Sequence, residues 1–187
     1  MSNQVHFAAA RTKPNSPSIK RLFFLTAFAL VLALFLRHFV IDIMQVTSSS
    51  MAPTINVGSR YLMEKLTFRM RKPRRNDIIA FPSPVLQGHN LVKRVIATEG
   101  ETIQIKNKDV YINDKRLAEN FAHHSRDTVL LVGDNLGPLQ VPKGMLFVMG
   151  DNRDESEDSR DWKDSITGER IYFVPVSGIL GRIVLLY

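Results

Sequence analysis

From Leu22 to Leu36 the chain carries no charge, and after Arg37-His38 the apolar run resumes as Phe39-Val40-Ile41. Nothing else in the sequence stays apolar for so long. Counted to Ile41, the run predicts a membrane anchor over 22–41, because a spanning helix takes roughly 20 residues and Arg37 can snorkel its guanidinium to the interface while its stem stays in lipid. Two other readings compete: a cleaved secretory leader, whose apolar core is roughly 7–15 residues, and a buried core helix. The bulky stretch from Arg37 to Gln45 offers no small-x-small cleavage site, which favours a retained anchor. After Thr54 the pattern changes to short apolar or alternating runs broken by turn residues, as in antiparallel strands. It predicts strands at Arg60–Lys65, Asp77–Phe81, Leu91–Thr98, Thr102–Lys106, Asp109–Ile112, Met145–Met149 and Ile179–Leu186, with a hairpin tip at Asn113-Asp114-Lys115. No helical apolar stripe runs for three turns beyond residue 54. The expected fold class is mainly β: one N-terminal transmembrane helix, then an antiparallel β domain over 42–187 with a smaller, more polar β subdomain inserted at about 107–140.

Composition sets the scale. With 187 residues and 44% hydrophobic content, the chain suits one membrane segment and one compact domain. It has no cysteine, which excludes disulfides, thiolate metal sites and a thiol nucleophile. The formal charge is +7, and Arg11, Lys13, Lys20 and Arg21 fall in the tail 1–21 without a single acid. This positive flank precedes the helix, whereas Arg37 and Asp42 nearly cancel beyond it, so the N-terminus is expected in the cytoplasm and the β domain outside. A second basic cluster, Arg69 to Arg75, lacks the interleaved aromatics of single-strand nucleic-acid binding. It reads as a solvated loop near phospholipid, and no nucleic-acid partner is expected.

Three segments carry candidate chemistry. The first is Ser48-Ser49-Ser50-Met51-Ala52-Pro53-Thr54, directly after the anchor. A serine hydroxyl is a poor nucleophile until a base takes its proton. Of the five histidines, His6, His38, His89, His123 and His124, only His89 lies near a strand that would line a site, and it reads better as a loop residue than as a base. The second segment is Leu91-Val92-Lys93-Arg94-Val95-Ile96, where alternation puts Lys93 on the face of Leu91 and Val95. Lys93 is either a solvent-facing strand lysine or a desolvated amine. In the latter case a fall from about 10.4 to roughly 7.5 corresponds to on the order of 4 kcal/mol, and the neutral amine can act as general base. The third is Gly150 to Arg160, which mixes acids with Arg153 and Arg160. A solvated acidic loop and a calcium site are alternatives, but Asp151 and Asp154 do not fit EF-hand spacing. An ion-paired loop that walls a site fits better.

Together these segments resemble the type I signal peptidases of bacteria, membrane-anchored Ser/Lys endopeptidases. The family's S-x-S-M-x-P-T box appears as Ser48 to Thr54, its lysine box as Val92-Lys93-Arg94-Val95 followed by a turn through Gly100, and its G-D-N-R-D-x-S-x-D-S-R box as Gly150 to Arg160. Phe173-Val174-Pro175 and Gly178 to Gly181 extend the likeness almost to the C-terminus. The resemblance implies Ser50 as nucleophile, Lys93 as base, Ser156 as the hydroxyl that holds the lysine, and the Ser48 hydroxyl with the Ser50 N–H as oxyanion donors. It also implies Asp151 with Arg94 and Asp158 with Arg160 as structural ion pairs. Met44, Val46, Met51 and Val92 would line shallow pockets for small side chains one and three residues before the cut. Expected partners are exported preproteins and the phospholipid of the bacterial cytoplasmic membrane, with no cofactor and no metal. Departures fall at Thr47, Asn76, Ala97 and Glu155, where many members have Pro, Gly, Gly and Asn. A self-cleaving repressor of related fold would need a DNA-binding domain that 21 residues cannot form. A non-catalytic tethered β module and a relative specialised for a conjugation or pilus substrate are the remaining alternatives.

Overall fold

The computed structural model describes residues 18–126 and 128–184. The chain divides into two compact units, Met1–Leu36 and Arg37–Tyr187. Helix α1, Ile19–Phe39, buries none of its side chains and is long and apolar enough to cross a membrane. Its one hydroxyl in the first turns, Thr26 Oγ1, bonds back to the carbonyls of Leu22 and Phe23, so it needs no water. The apolar run extends to Ile41, but the helix stops at Phe39. Ile41 already opens strand β1, Ile41–Gln45, because every residue of β1 finds a partner on β2, Arg60–Glu64, from Ile41 opposite Glu64 to Gln45 opposite Arg60.

A four-residue helix α2, Thr67–Met70, follows β2. The remaining strands are β3 Ile78–Pro82, β4 Asn90–Thr98, β5 Thr102–Lys106, β6 Asp109–Ile112, β7 Lys115–Arg116, β8 Leu136–Gln140, β9 Met145–Met149, β10 Val174–Pro175 and β11 Gly181–Val184. The last is shorter than the expected Ile179–Leu186, of which residues 185–186 lie outside the described residues. Strands β1, β7, β8 and β10 had no sequence forecast. Both β8 and β10 contain proline, a weak strand signal, and each survives as an edge strand paired on one side only. At the hairpin, Asn113 and Asp114 take positive φ (49° and 63°), as a two-residue primed turn requires, and Lys115 already belongs to β7.

Seven strands form one antiparallel sheet in the order β1-β2-β11-β3-β4-β9-β10, and four form a second in the order β7-β6-β5-β8. The second sheet begins at Thr102 rather than near 107, because β5 pairs with both β6 and β8. Strand β3 is buried on both faces. Ile78 and Ala80 pack with Val46, Met51, Ile55 and Tyr61, while Ile79 and Phe81 pack with Val95, Val148 and Trp162. A register slip in β4 between Val95 and Ala97 lets the successive residues Ile96 and Ala97 join one cluster with Ile103, Ile105 and Val110, fastening the two sheets together. Asn76 has φ 71°, a left-handed conformation that asparagine tolerates better than most residues.

Candidate active site

Strand β1 ends at Gln45, and the chain turns through Ser48, Ser49 and Ser50 before β2. Ser50 is 8% exposed, and its backbone is pinned from outside the turn. Its carbonyl accepts the Asn152 N–H at 3.1 Å, and the Asn152 side-chain amide donates to the Ser49 carbonyl at 3.2 Å. The Ser50 N–H has no acceptor among the described residues. Ser50 Oγ lies 3.2 Å from Ser48 Oγ.

Lys93 stands in β4, with β3 on one side and β9 on the other, and is 2% exposed. Burial lowers its ammonium to about 8, with Asp158 opposing the shift and Arg160 adding to it. The Lys93 ammonium donates to Ser156 Oγ at 2.8 Å, and Ser156 Oγ donates in turn to Asp158 Oδ2 at 2.8 Å. Asp158 is fully buried. Burial alone would raise its carboxyl, but the Arg160 guanidinium, Lys93 and the Gly150 N–H outweigh that and hold it at about 2. The amine therefore hangs from a hydroxyl whose orientation a permanently ionised carboxylate fixes.

Gly150 joins the two halves. A Cβ there would sit 2.4 Å from the Ser50 carbonyl oxygen and 2.3 Å from Ser156 Oγ, so the serine turn and the lysine's hydroxyl partner close on the same bare backbone. No hydrogen bond links Ser50 Oγ to Lys93 Nζ; the oxygen and the nitrogen are each engaged with another serine. Such contacts commonly tighten only when substrate is bound.

Arg94 makes a two-point pair with Asp151, at 2.7 and 2.6 Å, and Arg160 makes one with Asp158, at 2.9 and 3.0 Å. Met44, Val46, Met51 and Val92 share one apolar cluster, but Met51 is 1% exposed, so Met44 and Val92 offer most of the surface. His89 is exposed on its loop. His123 lies against the site loop through its backbone, which bonds to Asp151 and Arg153 at 2.7 and 2.9 Å. Sequence reasoning missed the contribution of the segment between β7 and β8. Glu119 and Asp134 both supply carboxylates to the loop's arginines, and the Phe121 ring centroid lies 4.1 Å from the Arg94 guanidinium carbon.

A serine and a desolvated amine brought together inside an antiparallel β domain are the makings of a serine peptidase that works without histidine. The chain belongs to the signal peptidase family, peptidase S26, whose model matches residues 19–187. It is 35% identical over 184 residues to the signal peptidase I of Leptolyngbya laminosa, covering 95% of this chain and 83% of that one. To the signal peptidase I of Bacillus amyloliquefaciens it is 40% identical over 147 residues, 76% of either chain. The crystal structure of a signal peptidase I from Enterococcus faecalis V583 aligns with a TM-score of 0.47 at 33% identity, over 61% of this chain and 98% of that one. The chain is thus a serine endopeptidase with the function of signal peptidase I.

Proposed function

We propose that Ser50 is the nucleophile and Lys93 its general base in removing N-terminal signal peptides from exported preproteins at the outer face of the cytoplasmic membrane. The observation that carries this reading is the buried Lys93 amine, brought down to about 8 and suspended from Ser156 beside the pinned Ser50 turn. Neutral Lys93 takes the Ser50 proton as Oγ attacks the carbonyl at the cut. The oxyanion is met by the free Ser50 N–H and the Ser48 hydroxyl. Protonated Lys93 then gives its proton to the leaving amine, and water attacks the acyl-enzyme with the same amine as base. Met44 and Val92 favour small side chains ahead of the cut. Helix α1 crosses the bilayer with Arg11, Lys13, Lys20 and Arg21 on the cytoplasmic side, which puts the β domain outside.

The pH profile tests the base. With Lys93 near 8, about one-tenth of the molecules carry a neutral amine at pH 7. In preprotein cleavage, kcat/KM is expected to rise about tenfold per pH unit on the acid side and level off above about 8. An acid limb at the ordinary histidine value, about 6.5, would transfer the role to a histidine. For the oxyanion site, Ser48→Ala is expected to lower kcat about 100- to 1000-fold with little change in KM. An unaffected kcat would remove Ser48 from it.

A further inference from the structure

Glu119 lies on the segment that follows β7, 34 residues from Arg153, yet its two carboxylate oxygens meet the Arg153 guanidinium at 2.9 and 2.5 Å. Arg153 is among the largest fully buried side chains, and the side chains of the pair are 1% and 9% exposed. The third guanidinium donor, Arg153 Nε, is directed at the Gly150 carbonyl at 3.1 Å. On its other side, the Gly150 N–H donates to Asp158 Oδ2 at 3.0 Å. The backbone of Gly150 is thus gripped at both ends, and it is this backbone that separates the Ser50 carbonyl from Ser156 Oγ. Gly150 follows directly on β9, whose last residue, Met149, pairs with Arg94, next to Lys93. A rotation of the Gly150 peptide would therefore change the gap between nucleophile and base without touching either side chain.

The geometry points to Glu119 as a positioning residue of the peptidase reaction: through Arg153 it fixes Gly150, and so sets the spacing between the Ser50 turn and the Ser156-held Lys93. The inference rests on the Ser50/Lys93 reading. Its physical basis is the bidentate match. A guanidinium forked onto a carboxylate has two of its faces defined, which leaves Nε at one fixed angle toward the Gly150 carbonyl. With Glu119 neutral, the buried guanidinium has lost its counter-charge and turns toward other acceptors, releasing Gly150. Displacements of about 1 Å at a reacting centre can cost about 100-fold in rate.

The test uses the full chain in lipid vesicles, a preprotein substrate, and circular dichroism to choose a temperature at which every variant is folded. Glu119→Gln is expected to lower kcat about 100-fold while KM stays within about threefold. Glu119→Asp, which keeps the charge, should restore part of the loss. If Glu119→Gln does not fold, Glu119→Gln with Arg153→Gln removes both buried charges together, and its thermal midpoint should return toward the parent value while kcat stays low. Full kcat in either folded variant, or a double variant that regains kcat along with stability, overturns the positioning role. Cleavage by a Lys93→Met variant would overturn the dyad itself, so the two failures are distinguishable.

Discussion

Lys93→Met is expected to give a protein that no longer processes preproteins and yet, at pH 7, unfolds at a higher temperature than the parent. The loss follows from the base: without an amine, Ser50 keeps its proton, and general-base contributions reach about 10⁴-fold. The gain follows from linkage. In the unfolded chain the lysine titrates near 10.5, whereas in the folded chain burial brings it to about 8, so at pH 7 the folded state carries a charge that it disfavours by about 3 kcal/mol. Methionine fills a similar volume without that charge. Ser156 Oγ keeps its bond to Asp158, so no buried hydroxyl is orphaned. A gain of about 1–3 kcal/mol corresponds to roughly 2–10 °C for a chain of this size. The pH dependence fixes the sign. Between about 8 and 10.5 the unfolded parent binds more protons than the folded one, so the parent grows more stable as pH rises through that window. Lys93→Met lacks this slope. Thermal unfolding of both proteins at pH 7, 9 and 10.5 checks it, and parallel curves would mean that the amine is not desolvated.

Ser50→Ala gives the complementary result. Its kcat is expected to fall on the order of 10⁶-fold, as for a nucleophile removed from an otherwise intact serine-protease site. Stability should change by less than about 1 kcal/mol, because among the described residues the lost Oγ makes only one long hydrogen bond, 3.2 Å to Ser48. The bonds that pin the turn, from the Asn152 N–H to the Ser50 carbonyl and from the Asn152 side-chain amide to the Ser49 carbonyl, are untouched. Product formation from a labelled preprotein, followed over long incubations, measures the residue of activity. Appreciable turnover would pass the nucleophile's role to Ser48, the hydroxyl nearest to it.

The boundary between what could be read from sequence and what could not follows the range of the interactions. The central strands were visible because their pattern is local: Ile78-Ile79-Ala80-Phe81 and Met145 to Met149 are continuous apolar runs, as strands covered on both faces require. Strands β8 and β10 were invisible because Gly137, Pro138 and Pro175 are poor strand formers, recruited by neighbours that already offered an open edge. The motif residues Ser50, Lys93 and Ser156 could be named from their boxes. Glu119 could not, because an isolated glutamate gives no local sign of an arginine 34 residues away.

By itself the sequence determined the long apolar helix, the antiparallel β character and the three chemical segments, since apolar run length, alternation and motif spacing are properties of neighbouring residues. Whether Lys93 is a solvent-facing ammonium or a usable base was left to the tertiary structure. Its two neighbours in β4, Val92 and Arg94, say nothing of desolvation. That comes from the packing around strands β3 and β9 on either side, while Ser156, 63 residues away, holds the amine and Asp158 and Arg160 act on it in opposite senses. A proton affinity is set by everything packed around a group, and packing exists only once the chain has folded.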